Sequence, residues 1–183
     1  MTTRQKKIVL GVTGSIAAYK SADILRRLCE KGFKVSVVMT KEAECFITPL
    51  TLSSLCGEEV YRGSFDSEGR SWQMPHISLA QEADAVVIVP ATANIISKMA
   101  LGLADDLLTC IFLATRAPVL IAPAMNTEMY SHKTIQENCA KLKKLGVKFI
   151  EPVKGKLACG TTGDGHIASE TDIVNAILKI LKD

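Results

Sequence analysis

The stretch 84-DAVVIVPA-91 decides the fold class, because no polar side chain follows Asp84 in it. A strand with one face in water alternates apolar and polar residues, whereas a strand covered on both faces is apolar throughout. The run 118-PVLIAPAM-125 has the same character. Two such strands separated by helical segments predict a parallel sheet with helices on both faces.

Strands and helices alternate outward from this run toward both ends of the chain. Apolar runs predict strands at 7–14, 34–40, 84–91, 118–125 and 147–151. Helical patterns predict helices at 16–31, 41–56 (interrupted at Pro49), 77–83, 95–101, 104–115, 132–145 and 170–182. Glycine-rich, polar loops are predicted at 57–75 and 152–168. The alternation predicts one α/β domain over residues 1–183, a three-layer α/β/α Rossmann-like fold with a doubly wound parallel sheet.

Composition excludes several classes of protein. Of the 183 residues, 48% are hydrophobic and 22% are charged, which is typical of a soluble globular domain. The net charge of +3 is too small to indicate a nucleic-acid partner, and no apolar run reaches membrane-spanning length. The apolar run after MTTRQKK is too short for a signal peptide, so a cytoplasmic protein is expected. The six cysteines form no C-x-x-C pair, which argues against a zinc site and against a disulfide framework.

The turn 11-GVTGS-15 joins the first strand to a helix N-terminus, where free amides and the helix dipole favour an anion. It matches neither the G-x-G-x-x-G nor the P-loop pattern. A single phosphate, as on a mononucleotide, therefore fits better than a dinucleotide. A tight turn capped by Ser15, without any ligand, explains the same residues equally well.

Two further polar segments follow apolar strands, which is where folds of this class bind ligands. Thr92 and Asn94 in 90-PATAN-94 offer hydrogen bonds, and Asn126 in 123-PAMNTEM-129 offers an amide. Helix capping explains both segments as well, and core packing explains Met129.

Three further side chains have the chemistry of acids or bases. His76 is a candidate base near neutral pH, with a surface or capping histidine as the alternative. Cys159 lies in the glycine-rich stretch 157-LACGTTGDGHIAS-169, together with His166. A thiol on such a loop can serve as an acid, whereas an incidental cysteine is the plainer interpretation.

Taken together, these segments resemble a known family, the homo-oligomeric flavin-containing cysteine decarboxylases. The matching segments are GSIAAYK at 14–20, MTKEA at 39–43, FITPL at 46–50, HISL at 76–79, PATAN at 90–94, GLADDLLT at 102–109, PAMNTEM at 123–129 and ACGTTGDG at 158–165. They follow the family's order over most of the chain. Two positions depart from the family's pattern. Ile95 stands where many members have threonine, and His166 where bacterial members often have arginine.

The resemblance implies a role for individual residues. FMN is the implied cofactor, with contacts from Gly14, Ser15, Ile16, Thr40, Thr92, Ala93, Asn94, Ile95 and Ala124. His76 would be the catalytic base and Cys159 the proton donor. Asn126 would bind the substrate carboxylate, with Met129 beside it.

The implied reaction is decarboxylation of 4′-phosphopantothenoylcysteine to 4′-phosphopantetheine in coenzyme A biosynthesis. The flavin would oxidise the thiol side, carbon dioxide would leave, and the ene-thiol would be reduced again. The loop with Cys159 favours this substrate over a peptide with a C-terminal cysteine. A peptidyl-cysteine decarboxylase, a flavin prenyltransferase and a non-catalytic flavin-binding regulator are the alternatives. Since family members are trimers with shared sites, a homotrimer or an assembly of trimers is expected.

Overall fold

The computed structural model describes residues 4–63, 74–156, 160 and 162–182. Its strands are β1 Lys7–Val12, β2 Lys34–Met39, β3 Ala85–Ala91, β4 Val119–Pro123, β5 Lys148–Phe149, β6 Val153–Lys156 and β7 Thr162–His166. Its α-helices are α1 Tyr19–Glu30, α2 Pro49–Cys56, α3 Pro75–Glu82, α4 Ala93–Leu101, α5 Leu107–Ala114, α6 Thr127–Ser131, α7 Lys133–Lys144 and α8 Glu170–Ile180. Two 3-10 turns, Ile16–Ala18 and Lys41–Cys45, follow β1 and β2.

The first five strands form one parallel sheet in the order β2-β1-β3-β4-β5. The chain winds outward from β1 to β2 and then returns to add β3, β4 and β5 on the other side. This confirms the predicted doubly wound sheet. The change of direction between β1 and β3 makes a crevice beyond their carboxyl ends, where ligands bind in folds of this kind.

Alternate residues of the central strands enter two separate cores. In β3, Val87 and Val89 pack in the core beneath α1, α2 and α8. Val86 and Ile88 pack in the core formed with α3, α4, α5 and α7. Because both faces are covered, a polar side chain at any of these positions would lose its water without gaining a partner. This explains the uniformly apolar stretch at 84–91.

The predicted helix over 16–31 is confirmed, although its first turn is tighter than expected. Ser15 begins it, with the Ser15 hydroxyl accepting the Ala17 amide proton at 3.3 Å. The α-helical part starts at Tyr19 and ends before Gly32, which takes a φ of +83°. A left-handed residue at a helix end is favourable for glycine, because a side chain would be strained there.

The prediction of a loop over 152–168 is wrong, because β6 and β7 pair there as an antiparallel hairpin. Glycines interrupt the alternation by which a strand is recognised in a sequence. Their role is close packing: a Cβ on Gly155 would lie 3.0 Å from the His166 ring across the hairpin. A second difference is a short separate helix, α6, which precedes the helix predicted at 132–145.

The other predicted strands and helices differ from the observed ones in the residues at which they begin or end. The predicted loop over 57–75 includes residues 64–73, which lie outside the described residues. Within the described ranges, no helix combines the length and apolarity needed to cross a bilayer.

Candidate active site

A cavity of about 620 Å³ opens at the carboxyl ends of the parallel strands. Its wall includes residues that directly follow four of them: Thr13 after β1, Thr40 after β2, Thr92 after β3 and Ala124 after β4. Cavities of this volume hold small-molecule ligands. Twelve of the residues singled out from the sequence line it, namely Gly14, Ser15, Ile16, Thr40, Thr92, Ala93, Asn94, Ile95, Ala124, Asn126, Met129 and His166.

Thr13 links two segments at the floor of this cavity by hydrogen bonds. Its side chain is 1% exposed, donates a hydrogen bond to the Pro90 carbonyl at 2.7 Å, and accepts one from the Thr92 amide at 3.2 Å. The end of β1 is thereby fixed to the loop after β3. The sequence interpretation missed this threonine, since nothing local distinguishes a buried structural hydroxyl from a surface one.

The Gly14–Ser15 turn presents backbone rather than side chains to the cavity. The Ser15 hydroxyl is engaged, since it caps Ala17 and donates to the Ala124 carbonyl at 3.4 Å. Among the described residues, the amides of Gly14 and Ile16 have no hydrogen-bond acceptor. A Cβ on Gly14 would lie 2.5 Å from the Glu42 Cβ, so only glycine fits. Free amides at a helical N-terminus are suited to an anionic ligand.

Thr40 carries an unsatisfied polar atom in the cavity wall. The residue is 8% exposed, and its Oγ1 is buried without a partner among the described residues. Buried hydroxyls are normally hydrogen-bonded, so an unpaired one indicates a missing ligand or water. The hydroxyl fits a polar ligand such as the ribityl chain of a flavin, which carries several hydroxyl groups.

The loop 92–95 turns into α4 at the opposite wall. Thr92 caps the helix, with its Oγ1 accepting the Ile95 amide proton at 3.3 Å. Ile95 is 1% exposed, so its side chain belongs to the core and the position contributes little more than backbone to the cavity. Asn94 is exposed and leaves its amide side chain at the wall.

Asn126 caps a helix and also lines the cavity. Its Oδ1 accepts the Glu128 amide proton at 2.8 Å and so caps α6. Capping fixes the orientation of the side-chain amide within the cavity wall, and Nδ2 is the atom with protons to donate. Met129, 49% exposed, lies one turn further along α6 on the same wall.

The base of the β6–β7 hairpin packs against this segment. The Met125 amide donates to the Gly165 carbonyl at 3.2 Å, and a Cβ on Gly165 would lie 2.3 Å from the Met125 carbonyl oxygen. The next residue, His166, lines the cavity. The hairpin therefore extends from the edge of the site. Cys159, which falls between β6 and β7 in the sequence, lies outside the described residues.

The flavoprotein family matches residues 1–182 of this chain. The chain belongs to the flavoprotein family. The coenzyme A biosynthesis bifunctional protein CoaBC of Vibrio vulnificus is 46% identical over 173 residues, which make up 94% of this flavoprotein and 43% of that relative. The flavoprotein chain thus spans less than half the length of the curated relatives it matches.

Solved structures share the same fold. A cysteine-to-serine variant of PPC decarboxylase, complexed with pantothenoylaminoethenethiol, is 32% identical with a TM-score of 0.88, covering 98% of this flavoprotein and 100% of that chain. The FMN-dependent cysteine decarboxylase SpaF is 31% identical with a TM-score of 0.82, covering 96% and 97% respectively. The sheet, the helices and the predicted fold class agree with these relatives.

His76 does not join the other site residues within one flavoprotein chain. It is the second residue of α3, is half-buried, and is absent from the described wall of the cavity. Its neighbours Met74 and Ile77 are 53% and 41% exposed, which makes this end of α3 an apolar surface. Ile16 and Tyr19, at the cavity wall, are also exposed.

Three charged side chains in the wall were missed from the sequence: Lys20, Glu42 and Asp106. Lys20 pairs with Glu170 of α8 at 3.2 Å. Asp106 begins α5, where its carboxylate and the Thr109 hydroxyl cap each other's backbone. The resemblance had marked the segments that contain all three residues without assigning these residues a role. Only the strand order brings these residues to one cavity.

Tyr130 anchors α6 to the chain that leads into the hairpin. Its hydroxyl donates to Glu151, which also accepts from Lys143. Burial, followed by the hydrogen bond to Glu151, raises the pKa of Tyr130. Burial alone would raise the pKa of Glu151, but the hydrogen bonds from Lys143 and Tyr130 hold that pKa below its usual value.

Proposed function

We propose that this chain is an FMN-dependent decarboxylase that converts 4′-phosphopantothenoylcysteine to 4′-phosphopantetheine in coenzyme A biosynthesis. The observation that carries the proposal is one cavity that combines an anion-binding turn, an oriented asparagine amide and the base of a hairpin. The relatives CoaBC and PPC decarboxylase support the substrate, and the FMN-dependent relative supports the cofactor.

The proposed cofactor site uses the residues at the strand ends. The free amides of Gly14 and Ile16, beside Ser15, would hold the FMN phosphate. Thr40 would gain a partner for its buried hydroxyl, and the stretch 92–95 with Ala124 would line the rest. When bound, the flavin supplies a group that takes up a hydride and returns it.

The proposed substrate site lies on α6. The Asn126 amide would hold the substrate carboxylate, with Met129 packed beside it. A neutral donor suits this step, because a tight ion pair would stabilise the carboxylate that has to be lost. Proton transfers are then required at the thiol and at the final carbon.

His76 is proposed as the base that removes the thiol proton. Because His76 lies outside the cavity of its own chain, the proposal requires a homotrimer in which His76 of a neighbouring subunit completes the site. The exposed apolar residues Met74 and Ile77 beside His76 support such a contact. Cys159 is proposed as the acid that protonates the final carbon, a role compatible with a thiol near neutral pH.

The proposal includes a single domain over residues 1–183 and a cytoplasmic location. The five described cysteines are all unbridged, as expected in a reducing compartment. Both core clusters continue across the same sheet, which supports one domain.

The test is turnover by flavin-loaded protein. Wild-type protein should convert 4′-phosphopantothenoylcysteine to 4′-phosphopantetheine with release of carbon dioxide. A Cys159→Ser variant should release carbon dioxide but accumulate the unreduced ene-thiol. If flavin-loaded wild-type protein did not turn over this compound, the proposal would be wrong. Turnover of a peptide with a C-terminal cysteine, which stops at the ene-thiol, would instead indicate the peptidyl-cysteine alternative.

A further inference from the structure

Asp106 is a charged side chain held rigidly in the cavity wall. Its Oδ1 accepts hydrogen bonds from the Thr109 amide at 2.8 Å and the Thr109 hydroxyl at 2.9 Å. Its Oδ2 accepts one from the Lys98 ammonium at 3.2 Å. Both carboxylate oxygens are therefore engaged by hydrogen-bond donors of the protein. Asp106 can therefore influence a ligand in the cavity through its negative charge.

That charge is only partly compensated. Lys98 is shared, since its ammonium also contacts Asp105 at 2.9 Å. Two carboxylates and one ammonium leave the group with one net negative charge. The Asp105 side chain is 58% exposed and does not line the cavity, whereas that of Asp106 is 27% exposed and does. Within this group of three side chains, the negative charge that faces the cavity is thus that of Asp106.

A flavin is sensitive to such a charge. A hydride delivers two electrons and one proton, so the ring gains one negative charge unless a second proton follows. A fixed carboxylate opposes this gain, and less solvent at a cavity wall strengthens the effect. We propose that Asp106 lowers the reduction potential of the flavin bound in this cavity, with Lys98 moderating the effect. The inference rests on the proposed FMN site.

A lower potential would serve the second half of the proposed reaction. The flavin must return its hydride to the ene-thiol, and a flavin that is harder to reduce is a better hydride donor once it is reduced. The same carboxylate would make the first oxidation less favourable. Asp106 would therefore set the balance between the two half-reactions rather than contact the substrate.

Capping of α5 is the purely structural role that has to be separated from this one. Asparagine caps helices as well as aspartate does. An Asp106→Asn variant therefore keeps an acceptor for Thr109 while the charge is removed. Lys98→Gln changes the charge in the opposite direction without touching the cap. Asp105→Asn makes the same charge change as Asp106→Asn at a solvent-exposed position outside the cavity.

The experiment measures the midpoint potential of each FMN-loaded protein by equilibration with a reference dye. Asp106→Asn should raise the equilibrium constant for reduction about tenfold, a rise of about 30 mV for a two-electron couple. Lys98→Gln should lower the potential, and Asp105→Asn should change it by less than half as much as Asp106→Asn. A general loosening of the fold would not shift the midpoint potential in opposite directions in Asp106→Asn and Lys98→Gln.

The outcomes separate this inference from the proposed function. Equal potentials in wild type, Asp106→Asn and Lys98→Gln would overturn the inference while leaving FMN binding intact. An equal shift in Asp105→Asn and Asp106→Asn would also overturn it, because the cavity position would then not matter. Failure of the wild-type protein to bind FMN would overturn both.

Discussion

Replacement of Gly14 by alanine tests whether the turn after β1 holds a phosphate. The added Cβ would lie 2.5 Å from the Glu42 Cβ and 3.0 Å from the Glu42 backbone carbon. Neither atom is the end of a flexible side chain. The turn must therefore retreat by roughly 1 Å to restore ordinary van der Waals separation. This displaces the Gly14 and Ile16 amides from their positions in the cavity wall.

The size of the effect follows from hydrogen-bond geometry. An amide–phosphate bond of about 2.9 Å, lengthened by roughly 1 Å, is no longer a hydrogen bond. A hydrogen bond to a charged group contributes about 1.5–3 kcal/mol. Loss of one such bond should weaken FMN binding about 10- to 100-fold.

The assay compares FMN with riboflavin, which has no phosphate, by titration of flavin fluorescence. Gly14→Ala should lose affinity for FMN but keep most of its affinity for riboflavin. Gly11→Ala is the matched control. Its Cβ would lie 2.6 Å from Leu108 Cδ1, and neither Gly11 nor Leu108 lines the cavity. Gly11→Ala should therefore lower the free energy of unfolding without changing the FMN preference. Equal losses for both flavins in Gly14→Ala would refute the phosphate assignment.

Three further variants test the substrate site, an ion pair and the core. Asn126→Asp keeps the cap of α6 but places a negative charge against the substrate carboxylate, so kcat/KM should fall about 100- to 1,000-fold with FMN content unchanged. Near-normal turnover would contradict the role of Asn126. Glu151→Gln removes a carboxylate whose pKa is lowered in the folded protein. That carboxylate stabilises the fold above the pKa of an unfolded glutamate, and the contribution disappears as pH falls through the folded pKa. The difference in unfolding free energy between Glu151→Gln and wild type should therefore be present at pH 7 and should shrink as pH falls below the pKa of an unfolded glutamate, measured by urea denaturation. A difference independent of pH would contradict this. Leu28→Ala, at a position 0% exposed, should lower the free energy of unfolding by about 2–5 kcal/mol while FMN affinity stays unchanged in the folded fraction. A change in affinity instead would show that the core beneath α1 is coupled to the cavity.

Local patterns were sufficient for the parallel sheet. The residues of β3 and β4 are apolar because both faces of the sheet are covered, so every residue of 85–91 and 119–123 is buried. The turn at 11–15 and the caps at Ser15, Thr92 and Asn126 were also recognisable, because capping depends on residues within three positions of each other.

The β6–β7 hairpin could not be recognised in the same way. Gly155, Gly163 and Gly165 are needed because other segments approach them closely, and a sequence read locally takes such glycines as loop signals. The same holds for Thr13, whose importance depends on the atoms that lie beside its buried hydroxyl. Thr40 was named only through the family resemblance, because no local pattern shows that its hydroxyl is buried without a partner among the described residues.

The sequence by itself therefore determined the fold class and the order of the five parallel strands along the chain, because strand burial and helix capping leave short-range patterns. Most of the predicted cavity residues came instead from the family resemblance. Tertiary structure alone decided that Lys20, Glu42 and Asp106 share the cavity, and that His76 does not line it. These residues are brought together or kept apart by the strand order β2-β1-β3-β4-β5, which joins positions distant along the chain. The charge at a site depends on such long-range neighbours, and no local pattern records it.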